Sequence, residues 1–252
     1  MCIRDSIWMD NVCKELKDQG CELIISPNGS PFDKYKINQR KTIIEDRVTE
    51  VKTPFVYVNQ FGGQDELVFD GSSLVMNGNK EVVFEAPSWE ENTSVVEFNV
   101  SAKKFNDLPF EKAQVSDLEN IYMAMVIGLR DYVTKNNFPG VILGLSGGID
   151  SAFCAAVAVD ALGKDKVNAY MLPSVYTSKN SLDDAKDCAK RLEIHLDSIP
   201  IGNTFLSLED SLEELFKGLP TDITEENLQS RIRGTILMAI SNKIGKMLIK
   251  QT

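Results

Sequence analysis

The run SGGIDS at residues 146–151 combines two glycines, an aspartate and two serines, and it contains no lysine. Gly147 and Gly148 let the backbone approach an anion with its N–H groups turned inward. A helix beginning just after them adds partial positive charge. The hydroxyls of Ser146 and Ser151 can donate to phosphate oxygens. A Walker loop, G-x-x-x-x-G-K-[ST], needs a lysine to reach the terminal phosphates, and here Asp150 stands in the turn instead. A carboxylate beside phosphates is repulsive unless a cation lies between them, so Asp150 implies Mg2+ and is the expected metal ligand. This chemistry suits ATP bound through Gly144, Leu145, Ser146, Gly147, Gly148, Ile149, Asp150 and Ser151, with attack at the α phosphorus. The β and γ phosphates would then leave together as pyrophosphate. The plainer alternative is a glycine turn that only packs a helix on a strand, which an isolated Gly-Gly pair would satisfy.

Such a loop needs a rigid strand before it and a helix after it. The segment VILGL, residues 141–145, is apolar at every position, as in a strand buried on both faces. A helix over 150–162 follows, then a strand VNAYML, a helix through LDDAKDCAKRL capped by Ser178 or Ser181, and a strand HLDSIPI. This alternation predicts a parallel, doubly wound sheet, whose ligands bind at the carboxyl ends of the strands. Upstream, Ser116 and Glu119 form an S-x-x-E capping box. Leu118, Ile121, Tyr122, Met125, Leu129, Tyr132 and Val133 then recur at helical spacing and predict a core-facing stripe.

Residues 20–98 follow a different pattern. CELIIS and PFVYVNQ are compact apolar runs, with a charged, helix-like segment DKYKINQRKTIIEDRVTEVK between them. ELVFDGSSLVMNGNKEVVFEAP reads as three strands separated at Asp70-Gly71 and Asn77-Gly78. The Asn-Gly pair predicts a hairpin turn, because both residues accept positive φ. Residues 99–115 have little periodicity and read as a linker. The expected organisation is therefore 1–98, a linker at 99–115, and 116–252.

Composition removes several function classes. The 252-residue chain has a net charge of −10, which argues against a partner such as duplex DNA, held by phosphate neutralisation. No apolar run approaches a membrane span, and the start is no secretory signal. Five scattered cysteines, Cys2, Cys13, Cys21, Cys154 and Cys188, form no C-x-x-C pair, which suits reduced thiols in a cytoplasmic protein rather than a zinc site. His195 is the one histidine, so a Ser-His-Asp triad has nothing to spare, and it reads as structural.

With these motifs in place, SGGIDS resembles the loop of the PP-loop ATP pyrophosphatases, a group that includes NAD, asparagine and GMP synthetases and tRNA-thiolating enzymes. The loop alone does not choose among them. The segment TEENLQSRIRG is similar to the NAD synthetase helix E-N-x-Q-A-R-I-R-G, with Glu226, Asn227, Gln229, Arg231, Arg233 and Gly234 in place and Ser230 where Ala is commoner. LPSVYTSKNSLDDA is also similar to that family's segment after the second strand. Asn227 and Arg231 are i,i+4 neighbours, and the resemblance implies that they contact deamido-NAD. Arg233 points elsewhere and reads as structural. A second reading of Asn227 is that it helps close a helix start capped by Thr224.

The first half resembles the nitrilase-type glutaminase domain of glutamine-dependent NAD synthetases, through IWMDNVCKELKDQGCELIISP, NGSPF and VNQFGGQDELVFDGSS. The resemblance implies that Ser30 and Lys36 bind glutamine. The fold it implies is α/β: the C-terminal half of a nitrilase-type α/β sandwich, then the first part of a doubly wound parallel-sheet PP-loop domain of the adenine nucleotide α-hydrolase kind. The function it implies is ATP-dependent amidation of deamido-NAD through an adenylate, with ammonia from glutamine and a homo-oligomeric full-length enzyme.

The chain departs from that pattern at both ends. The family's nucleophile lies in C-E-D-I-W; Ile7 and Trp8 match, but Arg4, Asp5 and Ser6 precede them and Cys2 falls too early. No glutaminase Glu, Lys or Cys stands in register, so no catalytic residue is assigned. The family's T-G-N-K-S-E loop does not follow before Gln251 and Thr252. The expectation is a piece cut at both ends. The alternatives carried with it are an inactive nucleotide-binding fragment and another PP-loop glutamine amidotransferase.

Overall fold

The computed structural model describes residues 7–9, 11–108, 110 and 115–249. Cys2, the mismatched Arg4–Ser6 stretch and Gln251–Thr252 lie outside the described residues. The chain divides into two compact units, Met1–Gly128 and Leu129–Thr252.

In the first unit, α1 (Val12–Asp18), β1 (Ile24–Asn28), α2 (Lys36–Val51) and β2 (Phe55–Asn59) come first. They are followed by β3 (Phe61–Gln64), β4 (Leu67–Asp70), β5 (Leu74–Met76), β6 (Val82–Glu85), β7 (Phe98–Asn99) and β8 (Lys104–Phe105). The main sheet has the order β1-β2-β5-β6, parallel between β1 and β2 and antiparallel thereafter. Alternation of side chains sorts its two faces. Ile24, Phe55, Tyr57, Leu74 and Met76 pack with Cys13 of α1 and with Ile44, Val48 and Val51 of α2. Val75 and Val83 pack on the other face with Phe105. Each fully buried large apolar side chain in these layers is worth roughly 1.5–3 kcal/mol.

Three sequence expectations change here. The hairpin between β5 and β6 exists, but not as a two-residue Asn-Gly turn. The positive φ falls on Lys80, at 70°, and Asn77 is buried. The Asn77 amide instead serves as a rung for β8, accepting from the Phe105 N–H and donating to the Phe105 carbonyl. Gly78 is needed for close approach, since a Cβ there would lie 2.7 Å from the Lys52 carbonyl oxygen. Phe105 is buried in this core although it lies in the segment 99–115. Cys21, which the CELIIS run would place in the strand, instead precedes β1, and its thiol donates to the Leu23 carbonyl.

Helix α3 (Asp117–Lys135) begins as expected, with the Ser116 hydroxyl accepting from the Glu119 amide. Its stripe is covered only in part: of its members, Val133 lies in the core and Leu129 packs against it. Leu118 is 79% exposed, and Met125 and Tyr132 are also exposed, whereas Val126, Ile127 and Val133 are buried. Apolar spacing marked the helix and, at Leu129 and Val133, its covered side, but it included the exposed Leu118, Met125 and Tyr132 and missed Val126 and Ile127.

The second unit runs β9 (Val141–Gly144), α4 (Ile149–Leu162), a short 3-10 turn (Lys164–Lys166), β10 (Val167–Met171), α5 (Lys179–Arg191) and β11 (His195–Ser198). It continues through α6 (Gly202–Phe216), α7 (Ile223–Ile244) and β12 (Met247–Ile249). All pairings in the sheet β11-β10-β9-β12 are parallel. Val141, Leu143, Val167 and Ala169 face Ala155, Ala158, Ala185 and Ala189 of α4 and α5. Ile142 and Tyr170 face Phe205 of α6 and Ile232 of α7. The sheet is therefore covered on both sides, as the uninterrupted apolar run of β9 requires. His195 lies exposed on the edge strand with Nε2 2.9 Å from Asp197.

Candidate functional site

The loop between β9 and α4 is held open by contacts that glycine makes possible. Gly147 has φ +86°, and a Cβ there would sit 2.2 Å from the Ser181 carbonyl oxygen. The turn is therefore pressed against the start of α5 with no room for a side chain. The two serines lock it from within. Ser151 Oγ accepts from the Ser146 amide at 3.2 Å and donates to the Gly148 carbonyl at 2.9 Å. Ser146 Oγ accepts from the Gly148 amide at 3.2 Å and lies 3.1 Å from Ser151 Oγ. Ser151 is buried and Ser146 is exposed, so Ser151 braces the turn while Ser146 is the serine that a ligand can reach.

Gly148 is the N-cap of α4 and, having no side chain, leaves the helix start uncapped. Ile149, Asp150 and Ser151 form the first turn, whose N–H groups have no intrahelical acceptors. Those amides and the helix dipole make an anion-binding terminus. Asp150 is exposed on that turn. Among the described residues, no group of three or more His, Cys, Asp or Glu side chains gathers to hold a metal. One carboxylate beside phosphates fits Mg2+ in the way such ions are held by substrate oxygens and water, and does not fit an all-protein cage.

Gly144, Leu145 and Ser146 open onto a cavity of about 530 Å3, a size typical of small-molecule sites. Its opposite walls are the end of β10 at Leu172, the segment through Thr177 and Ser178, and α7 at Arg233 and Leu237. Gly147, Gly148 and Ile149 instead line a shallower depression of about 430 Å3 beside Cys188 and Arg191. Asp150 lines neither of the two. The Ser174 amide donates to Thr177 Oγ1, and Ser178 caps α5 by accepting from the Ser181 amide. Of the two serines that sequence left open as the cap, Ser178 is therefore the one used. Burial pushes the Tyr170 phenol above its ordinary pKa, reinforced by the nearby Asp197 carboxylate.

On α7 the N-cap is Asp222, not Thr224. Its carboxylate accepts from the Thr224 amide at 2.8 Å, while the Glu225 side chain accepts from the Asp222 amide at 2.9 Å. The reading of Asn227 as part of a Thr224-capped start falls with that. Asn227 and Arg231 are both exposed, and neither lines the cavity. Arg233, read from sequence as structural, lies in the cavity wall, and its Nε donates to the Leu172 carbonyl at 3.1 Å. Helical spacing separated Arg231 from Arg233 correctly. Which of the two faced the strands depended on sheet packing that spacing does not contain.

In the first unit, Ser30 is buried at the end of β1. Its amide donates to Asn59 Oδ1, and its hydroxyl accepts from Arg40 Nε at 3.1 Å. The Arg40 guanidinium also forks onto Asp70 and onto the Ser30 and Pro31 carbonyls. This network lies under the NGSPF turn and was not legible from the sequence. Lys36 is half-buried at the start of α2, with Nζ 5.9 Å from the Trp8 ring centroid. Burial raises the Cys13 thiol above its ordinary pKa, which keeps it protonated and unreactive.

Comparison with known proteins bears on both units. A family model described as NAD synthase matches residues 121–252, and one described as carbon-nitrogen hydrolase matches residues 2–104. The glutamine-dependent NAD(+) synthetase of Rhodobacter capsulatus is 44% identical over 246 residues, covering 97% of this chain and 45% of that protein. The one from Acinetobacter baylyi is 41% identical over 254 residues, covering 98% and 46%. A solved glutamine-dependent NAD+ synthetase from Acinetobacter baumannii, in complex with ADP, superposes with a TM-score of 0.91 at 41% identity, covering 96% of this chain and 46% of that one. The chain spans about half the length of the curated relatives it matches.

Proposed function

Because the chain belongs to the NAD synthase family, we propose that it is part of a glutamine-dependent NAD synthetase, which converts deamido-NAD to NAD with ATP and with ammonia drawn from glutamine. The observation that carries this reading is the lysine-free SGGIDS loop, set at the carboxyl end of β9, with its first residue Ser146 lining a cavity of nucleotide size. In the reaction, a nicotinate carboxylate oxygen attacks the α phosphorus of ATP and the bond to pyrophosphate breaks. Ammonia then adds to the acyl carbon of the adenylate, AMP leaves with the bonding electrons, and the nitrogen loses a proton to solvent.

In this reading Gly144–Ser151 bind ATP. The amides of Ile149, Asp150 and Ser151 receive the departing diphosphate, and Ser151 keeps the turn open for it. Asp150 would hold Mg2+, which when bound screens the phosphates from that carboxylate and from one another. Asn227 and Arg231, both exposed on α7, contact the deamido-NAD in this reading. Ser30 and Lys36 bind glutamine in a glutaminase portion, residues 1–98, joined by 99–115 to a synthetase portion, 116–252. The full-length enzyme is homo-oligomeric, since ammonia must pass between sites unprotonated and shielded, and its scattered cysteines, which form no C-x-x-C pair, suit the cytoplasm. No helix of the described residues is long and apolar enough to cross a bilayer.

The test is exchange of labelled pyrophosphate into ATP by the complete polypeptide. Exchange that depends on nicotinate adenine dinucleotide supports the proposal. Exchange that depends on xanthylate or aspartate instead assigns the chain to another PP-loop ligase.

A further inference from the structure

Arg233 is the only charged side chain among the described residues that line the cavity beside the loop; the rest of that wall is apolar, hydroxyl-bearing or glycine. The protein as a whole carries a net charge of −10, so a polyanion entering this cavity meets an unfavourable field unless a local cation offsets it.

The position of Arg233 follows from the topology. Helix α7 leads through Gly245 and Lys246 into β12, which pairs parallel with β9. The helix must therefore run antiparallel to β9, with its earlier residues towards the strands' carboxyl ends. A Cβ on Gly144, the last residue of β9, would meet Leu237 Cδ1 at 3.3 Å, so Leu237 sits level with the strand end. Arg233 is four residues earlier on the same helix face. At a rise of about 1.5 Å per residue it stands roughly 6 Å beyond the strand end, at the height of the loop.

Its orientation is fixed as well. The Nε–H bond to the Leu172 carbonyl anchors one edge of the guanidinium to the end of β10, which leaves the terminal NH2 groups to meet a ligand. Half-burial depresses the Arg233 pKa below its ordinary value, yet an arginine remains charged at neutral pH. A desolvated guanidinium binds phosphate more strongly than an exposed one would.

We propose that Arg233 is a nucleotide-binding residue that donates its terminal NH2 groups to a phosphate of the nucleotide held in this cavity, with the Leu172 carbonyl setting its angle. This rests on the reading of the cavity as the ATP site. The competing role is purely structural: a tie between α7 and the end of β10 that touches no ligand.

Isothermal titration calorimetry on the whole chain separates these cases, using ATP, nicotinate adenine dinucleotide and adenosine as probes, each titrated alone. For Arg233→Met the proposal expects affinity for ATP or for the dinucleotide to fall at least tenfold, with adenosine affinity unchanged within twofold. The nucleotide that loses affinity is the one whose phosphate Arg233 holds. Arg233→Lys keeps the charge but not the fork, and should lie between wild type and Arg233→Met for that nucleotide. If Arg233→Met fails to fold, Arg233→Lys decides alone: a loss confined to a phosphate-bearing probe supports the proposal. Equal losses for adenosine and the nucleotides, or no loss for any probe, overturn it in favour of the structural tie. Should wild type bind neither nucleotide, the ATP-site reading itself fails and this assignment goes with it, an outcome distinct from a wild type that binds and a variant that is unaffected.

Discussion

Arg40 grips both carboxylate oxygens of Asp70, at 2.7 and 2.8 Å, and the two side chains are only 3% and 0% exposed. The same guanidinium holds the hydroxyl and carbonyl of Ser30. A buried pair of this kind contributes less to net stability than its geometry suggests, because desolvation offsets most of the attraction. Breaking it is another matter. Asp70→Asn leaves an uncompensated charge and is expected to cost about 3–5 kcal/mol in urea denaturation. Arg40→Met combined with Asp70→Leu should recover most of that stability while the turn at Ser30 loses its support. If Ser30 binds glutamine, the double variant of the complete enzyme shows a raised KM for glutamine with ammonia-driven activity retained. An unchanged glutamine KM would separate the network from the site.

Gly147 makes a second prediction. Its φ of +86° and the 2.2 Å approach of the Ser181 carbonyl to a would-be Cβ leave no room for Gly147→Ala. The neighbour is backbone, so relief requires moving the start of α5. The expected loss is about 1–3 kcal/mol, as for overpacking elsewhere, together with loss of ATP affinity. Gly148→Ala has a milder clash, with Ser146 Oγ at 3.4 Å, and should fold nearly normally. Comparing the melting temperatures of the two checks this; equal temperatures would contradict the packing argument.

The cap of α7 gives a dependence on pH. Hydrogen bonds from Thr224, side chain and then backbone, hold the Asp222 carboxyl below its ordinary value of 3.8. A lowered folded-state pKa contributes stability that is present above 3.8 and is lost as pH falls through the folded value. The stability gap between wild type and Asp222→Ala should therefore be constant near neutrality and narrow below pH 3.8. Denaturation series at several pH values measure it, and a gap that ignores acid would show that the carboxylate is not the cap.

Much of the second unit was legible in the sequence because its signals are local. VILG is apolar throughout and became a doubly covered strand, and the glycine pair expected at the loop supplies the tight turn, Gly147 with positive φ. What escaped depended on partners distant in sequence. Nothing near Asn77 indicates that its amide pairs with Phe105, 28 residues away. Nothing near Arg40 indicates that it joins Ser30 to Asp70. The α3 stripe was right only at Leu129 and Val133, because hydrophobic spacing gives a helix and its apolar residues without saying which of them the neighbouring elements reach. Helical spacing puts Arg231 and Arg233 on different faces without saying which face meets the sheet; the seating of Leu237 on Gly144 turns Arg233 towards the cavity.

The central claim is that this loop holds a diphosphate as it leaves, and the products of ATP test it most directly. With the complete polypeptide, nicotinate adenine dinucleotide and ammonia, phosphorus NMR of the reaction should show AMP and pyrophosphate formed in equal amounts. ADP and inorganic phosphate in their place would mean attack at the γ phosphorus, and the role assigned to residues 146–151 would be wrong.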